Sequence, residues 1–295
     1  HDPIQGLGDV GGRTETFLIS FDKEAYRSYG LLKSLNAAMS QENAASYRAA
    51  LNALISSSGQ RLAGTKVVHW YAGEVPPEDD AMEFLSGFED ASPEANARQK
   101  ARLLLDAIRS GKRPDLARCR YNALTLSGAA GRVMIRDWME GQFDELVQNI
   151  NQWFDDLEMV GINGEIAKSP RFLWVLGAVV KRENGKARYE DVPPPLEVRL
   201  WRAAVRGEPI PDAALALALD RFRCELVTNP DRPGDPVRMG LLRAYLVRKG
   251  DSNMKSRLNP GHPDPAYHCG RLLAVLARLQ EAALRNVNAG VVQRF

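Results

Sequence analysis

The spacing of apolar residues changes near the middle of the chain. Before about residue 160, short alternating runs are mixed with helical ones; after it, the spacing is helical almost throughout. Glu15-Thr16-Phe17-Leu18-Ile19-Ser20-Phe21 and Lys66–Tyr71 are rich in β-branched and aromatic residues, and both predict strands. Between them, Ser40 is placed to cap a helix running to about Ser56, with Tyr47, Leu51, Leu54 and Ile55 on one face. Pro76-Pro77 breaks the chain, and the acidic stretch that follows to about Asp90 predicts a mobile segment. Pro93 suits the first turn of a helix ending near Ser110, which Gly111 closes. Cys119–Leu126 and Arg132–Trp138 predict two strands joined by a hairpin over Ser127–Gly131.

In the second half, Phe143, Leu146, Val147, Ile150, Phe154 and Leu157 recur at helical spacing and predict a helix over 142–157. Pro193-Pro194-Pro195 is a rigid stop followed by a helix start. Helices are then expected at about 195–206, 211–227, 236–249 and 265–284, the last with Leu272, Leu276, Leu279 and Ala283 along one face. The pattern therefore predicts an α+β protein. Residues 1–160 form a mixed part with a small, largely antiparallel sheet, and residues 161–295 form a mostly helical part.

Charge divides at the same place. Residues 1–160 carry 17 Lys+Arg against 23 Asp+Glu; residues 161–295 carry 22 against 14, and 17 of those 22 are arginine. The net charge of +2 hides this asymmetry. A basic, arginine-rich region suits a polyanionic partner, because the planar guanidinium pairs with phosphate through two parallel hydrogen bonds. A basic surface that is merely solvated would show the same counts.

Apolar residues make up 44% of the 295-residue chain, enough for a sizeable core without disulfides. The three cysteines lie far apart, which predicts free thiols and a reducing, cytoplasmic setting. No apolar run reaches the roughly 18 residues of a membrane span, so no membrane partner is expected. The chain starts at His1, consistent with an upstream segment having been removed.

The sequence points to no catalytic site, metal or cofactor. Gly6-Leu7-Gly8-Asp9-Val10-Gly11 matches a dinucleotide fingerprint by letter, but lacks the strand before it and the helix after it, so it reads as a flexible loop. His69, His262 and His268 have no metal-ligand spacing. His268 and Cys269 are adjacent, about 100° apart on a helix, and read as packing residues. Asp79-Asp80 falls in a loop and Asp155-Asp156 at a helix end, where solvated acids are common.

Two groups of arginines stand out. Arg132 and Arg136 are four apart in a predicted strand and share a face with Met134 and Trp138; cations and an aromatic suit a single strand, whose bases stack and phosphates pair. Equally, Met134 and Trp138 can belong to the core with the arginines in rim ion pairs. Arg199, Arg202 and Arg206 form one stripe of a helix, opposite Trp201 and Ala204, which can track phosphates or simply face water.

Blocks along the chain carry a resemblance. Phe17–Asp22 with Ala25-Tyr26-Arg27-Ser28-Tyr29-Gly30, then Leu35-Asn36-Ala37, Ser40 and Tyr47-x-x-Ala50-Leu51-Asn52, resemble the large subunit of the subtype I-C CRISPR Cascade complex. So do Tyr121-x-Ala123-Leu124-x-Leu126-Ser127 with Gly131-Arg132-Val133-x-Ile135-Arg136-Asp137-Trp138, and Pro193-Pro194-Pro195-Leu196 leading to Arg202-Ala203 and Gly207-x-Pro209. Pro265-Ala266-Tyr267-His268-Cys269-Gly270-Arg271-Leu272 through Leu276 is the most specific match. The blocks keep the family order from near residue 14 to the C-terminus. The chain looks like a piece of a longer protein, since the family extends at both ends. Lys33 stands where the family usually has Gln, and Asp264 where it has Asn.

The resemblance implies a non-catalytic subunit of a crRNA-guided Cascade complex. Such subunits recognise the short PAM beside a double-stranded DNA target, help open the duplex, hold the displaced single strand and dock a separate helicase-nuclease. The nucleic-acid-binding candidates are Lys33, Asn36, Arg132, Arg136, Arg199, Arg202, Arg206 and Arg271. A metal-dependent defence nuclease and a helical protein-interaction scaffold are the alternatives.

Overall fold

The computed structural model describes residues 3–13, 16–19, 24, 27, 29–86, 93–129, 131–161, 163–183, 185–228 and 234–283. It is an α+β protein, with a four-stranded antiparallel sheet in the first half and mainly helices after it. In chain order the elements are α1 (Gln41–Ser58), β1 (Gln60–Arg61), β2 (Lys66–Tyr71), α2 (Ala81–Ser86), α3 (Pro93–Arg109), α4 (Pro114–Ala117), β3 (Arg120–Ala129), β4 (Arg132–Gln142) and α5 (Phe143–Asp156). There follow α6 (Phe172–Gly177), a small hairpin of β5 (Arg182–Glu183) and β6 (Lys186–Ala187), α7 (Pro194–Arg206), α8 (Asp212–Thr228), α9 (Pro236–Arg248) and α10 (Pro265–Ala283).

Local chemistry accounts for most of these ends. The Ser40 hydroxyl accepts a bond from the Asn43 amide at 3.1 Å and caps α1. Proline sits in the first turn of α7 and of α9, where a missing N–H costs nothing. The expected strand around Phe17 is reduced, among the described residues, to one parallel bridge with Arg132. Glu15, Ser20 and Phe21 of that expectation lie outside the described residues.

The sheet runs β1-β2-β3-β4, and its two faces feed two cores. On one face, Val67 of β2, Tyr121 and Ala123 of β3 and Met139 of β4 join the larger core. Its centre is α5, whose Phe143, Leu146, Val147, Ile150, Trp153 and Phe154 are buried. Trp153 of α5 lies 6.0 Å from Phe172 of α6, which stands edge-on to Trp201 of α7 at 4.9 Å, so the core draws on both sides of residue 160. On the other face, Val68, Leu124, Leu126 and Val133 meet Leu51 and Ile55 of α1 and the N-terminal Ile4, Leu7 and Val10.

Two expectations are overturned here. The glycine-rich segment is no flexible loop: Leu7 and Val10 are buried, and Gly11 and Gly12 lie against β3 so closely that a Cβ on Gly128 would fall 2.0 Å from the Gly12 nitrogen. These glycines serve backbone contact rather than phosphate binding. The acidic stretch after Pro77 is not mobile as far as Ser86: a short 3-10 turn leads into α2, whose Ala81, Met82, Phe84 and Leu85 are buried. Residues 87–90 of that stretch lie outside the described residues.

Asp80 explains the second correction. Its carboxylate accepts from the Met82 amide at 3.0 Å, the Tyr71 hydroxyl at 2.7 Å and His69 Nε2 at 2.8 Å. It thereby ties the start of α2 to β2. A fully buried acid ties the sheet to the helical half. Glu197 of α7 accepts from the amides of Ala63, Gly64 and Thr65 and from the Thr65 hydroxyl, at 2.6–3.1 Å, so the β1–β2 turn solvates it in place of water.

Candidate nucleic-acid interface

The β3–β4 hairpin sets the geometry of the first arginine group. Thr125 pairs with Asp137 but Leu126 pairs with Ile135, which leaves Arg136 as an extra residue in β4. Such a bulge inverts the alternation of side chains beyond it. Met134 opposite Ser127 and Arg132 opposite Ala129 fall on the face of the larger core, while Trp138 opposite Leu124 falls on the other. The expected shared face of Arg132, Met134, Arg136 and Trp138 is therefore split. Arg136 Nε donates to the Ser127 hydroxyl at 2.7 Å, which keeps it with Arg132 and away from Trp138.

The bulge also sends Asp137 inward, and the consequence reaches α7. Only 3% of the Asp137 side chain is exposed, and Arg202 grips it with two bonds, one of them Nε to Oδ2 at 2.7 Å. This bidentate pair raises the Arg202 pKa further above its ordinary value. Arg202 is thus the middle of the predicted helix stripe and also a strut between α7 and β4. Arg199 and Arg206 on either side of it are exposed, with Glu208 3.8 Å from Arg206. Trp201 and Ala204 are fully buried, as the stripe's opposite face requires. The Asp137–Arg202 bridge brings the two arginine groups together, with Arg136 next to Asp137 in sequence.

The other candidates sit in local arrangements. The backbone of residues 33–36 forms a 3-10 turn. It follows Tyr29 and Gly30, both left-handed at φ 55° and 73°. The Asn36 amide donates to the Leu31 carbonyl at 2.8 Å and closes this turn on itself. Tyr29, Leu31, Leu32 and Leu35 are exposed around it. Arg271 donates to His268 Nδ1 at 3.4 Å, and the opposite nitrogen of that ring lies 2.7 Å from the His262 carbonyl. His262 in turn stacks on Tyr267 at 4.3 Å, so the block that reads as most specific packs the loop before α10 onto its first turns.

Asp155-Asp156 is not a solvated pair. Asp156 is 1% exposed and bound by Arg248 at 2.7 Å, and Asp155 is bound by Arg98. Among the described residues, no group of three or more His, Cys, Asp or Glu could hold a metal ion, and no helix is long and apolar enough to cross a membrane. None of the three cysteines forms a disulfide among the described residues; Cys119 is buried, Cys224 and Cys269 exposed. Asp137 is a structural hub that the candidate arginine pattern does not include. Its signal was available, since an acid flanked by Arg136 and Trp138 in a strand needs a partner if it turns inward.

Compared with known families, residues 1–295 match a family model described as CRISPR-associated protein (Cas_Csd1). Among curated proteins no match is found.

Proposed function

Since the chain belongs to the CRISPR-associated Cas_Csd1 family, the type I-C large subunit, we propose that it is a non-catalytic, DNA-handling subunit of the type I-C Cascade complex. In this reading it contacts the PAM-proximal duplex, helps to open it, steadies the displaced strand and receives the helicase-nuclease. Base pairing to the guide supplies sequence choice, and the protein supplies PAM and backbone contacts. The observation that carries the reading is the family match over the whole chain.

The exposed Arg199 and Arg206 support it, because they are charges on a rigid helix that the core leaves outside. The turn at residues 33–36 supports the PAM role: an Asn amide can pair with adenine and a Lys ammonium can reach guanine or phosphate. The test is a double change, Lys33→Ala with Asn36→Ala, in an otherwise complete Cascade. Target binding should weaken at physiological salt while the complex still assembles. Unchanged target affinity would remove the PAM role from this turn. Metal-dependent cleavage of DNA or RNA by the purified chain, abolished by changing one carboxylate cluster, would overturn the non-catalytic reading.

A further inference from the structure

The sheet face under α1 is covered over only part of its area. α1 and the N-terminal segment bury Val68, Leu124, Leu126 and Val133. By strand alternation, Trp70, Asn122, Arg120, Glu140 and Trp138 share that face. Arg120, Glu140 and Trp138 are exposed, Trp138 by 50%. Trp70 and Trp138 meet edge to face, with centroids 5.7 Å apart and planes at 80°. This contact uses the edge of one indole and leaves ring surface open to solvent.

We propose that Trp138 and Trp70 form a stacking platform for the bases of a single-stranded nucleic acid, with Asn122 at a base edge and Arg120 at a phosphate. The proposal rests on the DNA-handling reading above and gives the single strand a site on the face opposite the arginine groups. Indole faces stack on any base, which suits a strand whose sequence is not read. Among the described residues, Arg120 pairs with Glu140 at 3.6 Å, and both side chains are more than half exposed. Such a pair is worth little, so Arg120 is available to phosphate. Glu140 repels phosphate, so the strand's backbone passes on the Arg120 side. Two indoles bordered by charged and amide groups are also small beside the roughly 800 Å² per partner of a stable protein interface.

The experiment is binding of a fluorescent oligo-dT of about fifteen nucleotides to the full chain across a salt series. Trp138→Leu, which keeps apolar bulk but removes the ring, should weaken binding by about tenfold. It should leave the salt slope unchanged, because stacking releases no counterions. Trp138→Phe should bind within about threefold of the parent, yet lose the share of tryptophan quenching that Trp138 contributes, leaving that of Trp70. Arg120→Ala should flatten the salt slope instead. If the parent binds and quenches, but Trp138→Phe quenches equally or Trp138→Leu binds equally well, the platform is wrong and the DNA-handling reading stands. If Trp138→Leu binds oligo-dT normally but fails to enter Cascade, the patch is a protein contact and the platform is again overturned. If the parent does not bind single strands at any salt, the platform is overturned, and the DNA-handling reading is judged by target binding of the assembled Cascade.

Discussion

α7 and α9 are both 13 residues long, both begin with proline and both carry three arginines. In α9 all three turn inward. Arg238 is 1% exposed, donates to the Ala178 carbonyl at 2.8 Å and pairs with Glu225. Arg243 donates to the carbonyls of Asp155 and Asp156, the last residues of α5, at 2.8 and 2.7 Å. Arg248 binds the Asp156 carboxylate, donates to the carbonyls of Ala203 and Glu208 at the end of α7, and lies over the Trp153 ring at 5.6 Å. In α7 only Arg202 is used this way. The positive excess of the second half is therefore partly internal mortar. Arginines of α9 close the C-terminal carbonyls of α5 and α7, groups that a helix leaves without partners. What α7 leaves exposed is the remainder, Arg199 and Arg206.

The sharpest way to break this comparison is Arg248→Ala. It strands the buried Asp156 carboxylate and leaves two carbonyls at the end of α7 without their donor. A loss of about 3–5 kcal/mol is expected, as for breaking a buried pair. The check is the urea midpoint of the purified chain, which should fall without a change of slope. An effect below about 1 kcal/mol would mean that the inward arginines are solvated after all.

Arg202→Ala should come next. Asp137 loses both of its bonds, but the Arg202 side chain is 36% exposed, so water reaches the site in part. A loss of about 2–3 kcal/mol is expected, discounted from the fully buried case. Asp137→Asn combined with Arg202→Met should recover part of it, because replacing both partners removes the uncompensated charge. A double-mutant cycle on thermal stability measures the coupling.

These two residues mark where the sequence was legible and where it was not. The helices of 13 residues or more followed from the 3.6-residue spacing and the prolines, and the ends at Ser40, Gly111 and Pro194 from capping chemistry; the short α4 and α6 did not. β2 was legible for the same local reason. α2 was not, because its Ala81, Met82, Phe84 and Leu85 are surrounded by acids, and only tertiary burial against the core makes them a helix. The bulge at Arg136 had no local signal either, yet it decides which face Trp138 takes and sends Asp137 to Arg202. The charge imbalance could be counted, but whether an arginine faces water depends on carbonyls tens of residues away. α10 shows the same limit from the apolar side: Leu272, Leu276 and Leu279 do share a stripe, and all three are exposed. Periodicity identifies a face and not its partner.

Asp80 tests whether a half-buried acid needs an arginine to be a keystone. Burial pushes its carboxyl up, but bonds from His69 and Tyr71 and the nearby imidazole outweigh this and hold it below the usual carboxylate range. A depressed folded value means the charged form stabilises the fold. That stabilisation is fully present above the unfolded value of about 4 and is lost as pH falls through the lower folded one. Asp80→Asn should cost about 1–2 kcal/mol at pH 7, the scale of a lost cap with its hydrogen bonds. It should also show a smaller drop in urea midpoint than the parent between neutral and strongly acid pH. An identical acid drop in both proteins would remove Asp80 from the account.

The smallest effect on stability should accompany the largest effect on charge-driven binding. Arg199→Ala with Arg206→Ala touches only exposed side chains, and Arg206 has its acid partner no closer than 3.8 Å. Each change should stay within about 0.5 kcal/mol of the parent. If both arginines neutralise phosphates of a single strand, each contributes about 0.7 to the dependence of log affinity on log salt, so the pair should flatten that slope by about 1.4. Arg202 must be left intact here, because a triple change would mix loss of phosphate contacts with loss of the Asp137 strut. The paired readout separates the two uses of arginine on one helix. A melting temperature near the parent's with a flattened slope assigns the outer pair to the polyanion. A parental slope in an equally stable double variant reduces Arg199 and Arg206 to a solvated face, and leaves the binding to be sought on the opposite side of the sheet.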